Sequence, residues 1–253
     1  MVCSPRLMVR SNAKSRAIAG FTLIEMLVSL TILLIVTGAV FEQVNSMQKK
    51  STSEAVNVDL NQQARDFVNQ TVRDLHMAGY PAANMYSVDP AARPSMVANR
   101  LVRVSPTEIL LEGDVNNDGT VYSVDISYVA SDPNDPNCPC IRRSAQPKWN
   151  TDSLNQPANL FYTETQQVFP PGTGPGQSGE DLFAYYDQNG NPVTIGNGVD
   201  ISTPASPTTQ SGQALISSIK TVKINLSLLT NQRDPVTGNF LRTSMSASAR
   251  LSY

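Results

Sequence analysis

Residues 21–41, FTLIEMLVSLTILLIVTGAVF, constrain this chain more than any other stretch: fifteen of the 21 are apolar and one, Glu25, is charged. The run is long enough for a membrane-spanning helix, which needs about 20 apolar residues. Ahead of it, residues 1–20 hold Arg6, Arg10, Lys14 and Arg16 with no acidic residue, and end in Ala17-Ile18-Ala19-Gly20. Basic residues before the span and none closely after it put the N-terminus in the cytoplasm and the remaining chain outside. A secretory signal peptide also joins a basic region to an apolar run. This run, however, exceeds the usual ~7 to 15 residues, and no A-x-A-like site follows it. The small residue and the break in character lie before the run, at Gly20-Phe21.

The helical pattern continues past the membrane length. Between Gln43 and Met77 there is neither Pro nor Gly, and apolar residues recur at Val44, Met47, Ala55, Val58, Leu60, Ala64, Phe67, Val68, Val72 and Leu75. From Leu60 onward the spacing is i, i+3, i+4, one buried stripe of an amphipathic helix. Gly79-Tyr80-Pro81 supplies the stop, with Gly as the cap and Pro just beyond. A helix from 21 to about 78 would be ~87 Å long at 1.5 Å per residue. Only its second half has a domain to pack against.

Gly20-Phe21-Thr22-Leu23-Ile24-Glu25, after a short basic leader and before an apolar helix, resembles the prepilin processing signature of type IV pilins and type II secretion pseudopilins. The resemblance implies cleavage after Gly20 by a prepilin peptidase and N-methylation of the new terminus, Phe21. It also implies storage in the bacterial inner membrane, with the N-terminus cytoplasmic and the head periplasmic. From there the subunit would pass, through a pilus assembly platform, into a pilus or pseudopilus at the cell envelope. Its partners would be other pilin and minor pilin subunits, met through the N-terminal helix.

Glu25 agrees with this on physical grounds. A lone carboxylate inside an apolar helix is costly in hydrocarbon and reads as functional, with a cation to be named as its partner. The freed amine of Phe21 is that cation: in a bundle of parallel helices, Glu25 of one subunit can neutralise the terminal amine of its neighbour and set the axial stagger. The plainer alternative is a Glu that snorkels to the headgroups from the helix end.

Weaker motifs point to a subfamily. Leu75-His76-Met77-Ala78-Gly79-Tyr80, the block from Leu182 to Gly190 and the block from Ile219 to Leu226 are similar to PilW-type minor pilins, and to the J-type minor pseudopilins of type II secretion. The early-helix Pro and C-terminal Cys pair of many major pilins do not appear. The resemblance thus implies a structural, non-enzymatic minor pilin acting in filament initiation, assembly or at the tip. The alternative is a minor pseudopilin. A third reading is a membrane-anchored calcium-binding module.

Beyond the helix the pattern predicts an α+β, pilin-like fold. The division is a cleaved leader, 1–20; a long helix, 21–79, with 21–41 in membrane or filament core and 42–79 amphipathic; and a β-rich head, 80–253. Alternating or β-branched runs predict strands over 101–104, 108–111, 120–129, 182–186, 221–229 and 240–251. They would form an antiparallel sheet packed on the second half of the helix. Stretches 131–180 and 190–212, rich in Pro or in Asn, Gly, Ser and Thr, are expected to be long loops.

One loop has a metal-ligand signature. Asp114-Val115-Asn116-Asn117-Asp118-Gly119-Thr120 fits D-x-[DN]-x-[DN]-G, and Asp125 falls at the twelfth position. A Ca²⁺ ion would draw on Asp114, Asn116, Asp118, Thr120 and Asp125. Asn-Asp-Gly between β segments is equally a hairpin turn. Cys138-Pro139-Cys140 is the one cysteine pair outside the leader, and in an oxidising exterior a disulfide is expected there. Two sulfurs make no four-ligand zinc site, and His76 belongs to the helix pattern.

Other chemistry finds little support. Gly174-Pro175-Gly176-Gln177-Ser178-Gly179 matches G-x-G-x-x-G by letter but lies in a Pro-rich stretch without the flanking strand and helix. No G-x-S-x-G, G-x-x-x-x-G-K-[ST] or H-E-x-x-H occurs. A net charge of −2, falling to about −6 when the leader leaves fifteen basic against 21 acidic residues, gives no polyanion-binding surplus. No nucleic-acid partner is expected.

Overall fold

A computed structural model describes residues 20–82, 85, 94–133, 135, 136, 138–156, 160–169, 181–205 and 210–251. The basic leader, up to Ala19, and the run from Gly174 to Gly179 lie outside the described residues. The chain divides into two units at Lys49/Lys50. Helix α1 (Leu23–Met77) contributes to both; the second unit is called the head below.

In the head, α1 buries Leu60, Ala64, Phe67, Val68, Thr71, Asp74 and Leu75, the stripe expected from the i, i+3, i+4 spacing, with Val72 half-buried at its edge. Full burial of a Leu, Val or Phe side chain is worth about 1.5–3 kcal/mol, so this stripe anchors the helix. The helix ends against the sheet. Gly79, at φ +84°, takes the left-handed cap conformation, and its N–H donates to the Glu112 carbonyl at 2.8 Å. Gly113 faces the last turn so closely that a Cβ there would collide with the Met77 carbonyl.

Among the described residues, ten strands make two antiparallel sheets. The larger has the order β5-β4-β3-β2-β1-β8, the smaller β10-β9-β6-β7. They comprise β1 (Leu101–Val104), β2 (Glu108–Gly113), β3 (Tyr122–Val129), β4 (Cys140–Pro147), β5 (Tyr162–Gln166), β6 (Phe183–Tyr186), β7 (Pro192–Val193), β8 (Val199–Asp200), β9 (Thr221–Arg233) and β10 (Phe240–Arg250). Between the sheets and the helical stripe lies one apolar core. Val104, Ile109, Leu111, Val124, Ile126 and Ile141 line it from the larger sheet, and Phe183, Val222, Ile224, Leu226 and Leu228 from the smaller. The α+β, pilin-like class is therefore the class observed.

The loop assignment for 131–180 and 190–212 needs correcting. Strands β4 and β5 lie inside the first, and β7 and β8 inside the second; a short helix, α2 (Gly212–Ser218), begins where the second ends. Prolines bracket β4 rather than interrupt it: Pro139 precedes it and Pro147 is its last residue, positions where a missing N–H costs no central ladder bond. Helix α2 starts on Ser211, whose side chain accepts the Ala214 N–H, an N-cap.

Among the described residues, two buried ion pairs tie the head together. Arg143, on β4, reaches Asp74 on α1 through Nη2 at 2.9 Å and Nε at 3.0 Å. The side chains retain 9% and 1% of their accessible surface. Lys148 Nζ meets Glu112 Oε2 at 2.7 Å and donates to the Val97 carbonyl at 3.0 Å. Asn99 N–H also donates to Glu112 Oε2, at 2.8 Å. That pair pins the chain before β1 and the chain after β4 to the end of β2.

The larger sheet's second face is polar yet partly buried. On it Asp125, in mid-β3 opposite Leu110 and Ser144, is pushed up to about 7 by burial, with Glu108 adding to the rise and Arg103 opposing it. The sign follows from linkage: below pH 3.8 the carboxyl is neutral folded or unfolded, and between there and about 7 the unfolded chain ionises while the fold retains the proton. Stability should therefore fall by up to about 3–4 kcal/mol as the pH rises through that window, then level off. Asp125→Asn should flatten this slope in urea titrations at several pH values; an undiminished slope would place its origin elsewhere.

Candidate functional site

The N-terminal unit is described from Gly20, and Gly20 and Phe21 are both exposed, followed at Leu23 by α1. Thr22 caps the helix: its carbonyl accepts from Glu25 and Met26, and its Oγ1 accepts the Glu25 N–H at 3.3 Å. Thr22-x-x-Glu25 has the spacing of a capping box. Glu25 thus stands in the first turn, where a negative charge also suits the helix dipole. The Thr22-x-x-Glu25 spacing is the sequence signal for this local role.

Beyond Glu25 the unit is built for an apolar surrounding. Leu23, Ile24, Leu30, Leu33 and Ile35 are more than half exposed, and α1 has a window long and apolar enough to cross a membrane, with none of it buried. The span's hydroxyls spend their hydrogen-bonding capacity on the helix itself: Ser29 donates to the Glu25 carbonyl, Thr31 to those of Leu27 and Val28, and Thr37 to that of Leu33. Such internal satisfaction is what a helix in hydrocarbon requires. Glu25 is then the one Asp, Glu, Lys or Arg side chain in residues 21–41.

Residues 15–41 match the family model of the prokaryotic N-terminal methylation motif. The chain carries a prepilin-type methylation signal. As a type IV pilin-like prepilin signal, the motif implies processing by a prepilin peptidase and assembly with other pilins. It places Gly20, Phe21 and Glu25 inside the matched residues. No curated protein and no solved structure matches the chain.

The remaining sequence candidates fall in the head. Asp114, Asn116, Asp118 and Thr120 lie in the loop joining β2 to β3, so the hairpin is formed. Asp114 accepts the N–H groups of Asp118 and Gly119 at 3.0 and 2.9 Å. Asp118 accepts the Thr120 N–H and the Tyr122 hydroxyl, both at 2.8 Å. Asn117 and Gly119 turn the chain at positive φ, 55° and 82°. Asp125 stands apart, three residues into β3 and so about 10 Å along the strand from its start at about 3.3 Å per residue. The structure therefore brings four of the five proposed ligands into one loop and leaves the fifth in the sheet.

Cys138 and Cys140 are joined in a disulfide. Asp135 lies close enough to both sulfurs for a shared ion, but bonded sulfurs offer no thiolate. His76 is exposed on α1. A cavity of about 350 Å³ lies between Pro139 and Phe169, and its described lining, including Gln167, Val168, Leu229, Thr230 and Asn231, supplies no acid, base or free nucleophile.

Proposed function

We propose that this chain is a minor pilin: a structural subunit held in the inner membrane by residues 21–41, cleaved after Gly20, methylated on Phe21, and inserted into a type IV pilus. The observation that carries this is the methylation motif at residues 15–41, joined to a helix whose apolar half is exposed along its length. On this reading Glu25 neutralises the terminal amine of the adjacent subunit. An isolated carboxylate in hydrocarbon is penalised by about 2.5–3.5 kcal/mol, and pairing with that amine offsets the penalty. The disulfide between Cys138 and Cys140 suits the oxidising cell exterior.

The same filament physics serves a type II secretion pseudopilus, and deletion of the chain separates the two. Loss of surface pili with secretion intact assigns the pilus. Loss of exported proteins from the medium with pili intact assigns the secretion system and overturns the first reading. Ca²⁺ at Asp114, Asn116, Asp118, Thr120 and Asp125 belongs to neither mechanism and is a separate proposal.

A further inference from the structure

Among the described residues, β10 is the outermost strand of the smaller sheet and pairs with β9 on one side. The bonds of β9 reveal which amides of β10 face outward. Asn225 donates to the Leu182 carbonyl, Leu229 to the Gln167 carbonyl, and the Ser227 carbonyl accepts from Phe169. These residues turn their backbone groups away from β10. In an antiparallel ladder a residue's N–H and C=O point the same way and the direction alternates along the strand. Leu226 and Ile224 therefore bond their partners Met245 and Ala247, and the Leu251 N–H to Lys220 carbonyl bond, 2.9 Å, continues that phase. The N–H and C=O groups of Ser244, Ser246, Ser248 and Arg250 face outward. All four residues are exposed, and among the described residues none has a further backbone partner.

A long open edge is a template for another strand, and soluble proteins normally blunt one with Pro, charge, a bulge or shortness. None of these is present over 243–249, Thr-Ser-Met-Ser-Ala-Ser-Ala. By contrast β7 and β8 are two residues each. The charge pattern indicates the occupant. Strands β9 and β10 carry Lys223, Arg233, Arg242 and Arg250 and no acidic residue, in a chain whose net charge is negative. Symmetric pairing of two copies about Ser246 would set Arg242 of one opposite Arg250 of the other, and like charges directly opposite are destabilising.

We propose that the β10 edge accepts an added β-strand from a different protein chain, one with small uncharged or β-branched side chains opposite Ser244, Ser246 and Ser248 and a carboxylate opposite Arg250. Main-chain bonds to the three serines supply affinity and the flanking charges set partner and register.

The test is amide hydrogen exchange on the full chain in detergent micelles, with the synthetic peptide Glu-Thr-Val-Thr-Val-Thr-Val-Thr-Glu as probe. At about ten times the dissociation constant, exchange at Ser244, Ser246 and Ser248 should slow about tenfold. The peptide with Lys at both ends should leave them unchanged. Ser246→Pro removes an outward N–H without touching the β9 ladder and should abolish the effect while β9 amides keep their protection. Ser246→Lys should do the same and decides the matter if the proline variant unfolds. Four results would overturn the proposal: no protection by the Glu peptide, equal protection by the Lys peptide, protection that grows with protein concentration alone, or protection by a single-stranded oligonucleotide instead.

Discussion

Arg143→Ala should lower the stability of the head by about 3–5 kcal/mol, read as a fall in the urea midpoint at neutral pH, because it strands Asp74 as an uncompensated charge in the core. Burial pushes the Asp74 carboxyl above its ordinary value, and the pull of Arg143 only partly offsets this. Arg143 shows the opposite balance: burial alone would lower its guanidinium, but Asp74 and Tyr162 more than reverse that and hold it above its ordinary value. The two shifts differ on whether ionisation is favoured. The charged pair is the state that fits, since contacts of 2.9 and 3.0 Å from Nη2 and Nε have charge-assisted geometry, and an arginine stays protonated at any physiological pH. Replacing both partners with apolar residues, Asp74→Leu with Arg143→Met, should recover most of the loss, because desolvation of the two ions disappears with them. A single-variant loss below about 1 kcal/mol would mean that the pair behaves as an exposed one.

Glu25→Gln should be cleaved and methylated normally yet drop about hundredfold in sheared filaments, if Glu25 neutralises a neighbouring subunit's terminal amine. An unpaired ammonium in hydrocarbon is penalised by about 3 kcal/mol, which corresponds to that ratio. Glutamine separates this role from the local one. Thr22 and residue 25 keep a capping-box pair with Gln, and a cap is worth only about 1 kcal/mol. Wild-type incorporation of Glu25→Gln together with a defect in Glu25→Ala would assign the residue to the helix start and remove the intersubunit pair from the account.

How much of this was legible depended on whether a signal was local. The apolar run, the Leu60-to-Leu75 stripe and the alternation of Val222, Ile224, Leu226 and Leu228 are period-3.6 and period-2 patterns carried by neighbouring residues, and each appears as an element in the structure. β4, Cys-Ile-Arg-Arg-Ser-Ala-Gln-Pro, and β5, Tyr-Thr-Glu-Thr-Gln, have no such pattern. Pairing with β3 and the reach of Arg143 to a helix 69 residues away hold β4 in place, and no local window contains either. Asp74 was hidden for the same reason: a carboxylate on an apolar stripe reads as a misplaced polar residue until its partner is known. At the candidate site, Gly20, Phe21 and Glu25 stand inside a motif that is read from contiguous residues. The tandem carboxylates at Asp114 and Asp118 were equally contiguous, but their convergence with Asp125 depended on β3, whose register places Asp125 in the sheet.

The proposed function requires the boundary at Gly20-Phe21 to be a processing site. Intact-mass and N-terminal fragment mass spectrometry of the chain purified from cell membranes measures it directly. The expected product is a mature chain that begins at Phe21 and carries one added methyl group on its amine. A chain that retains Met1, or one cut on the far side of residues 21–41, would contradict it.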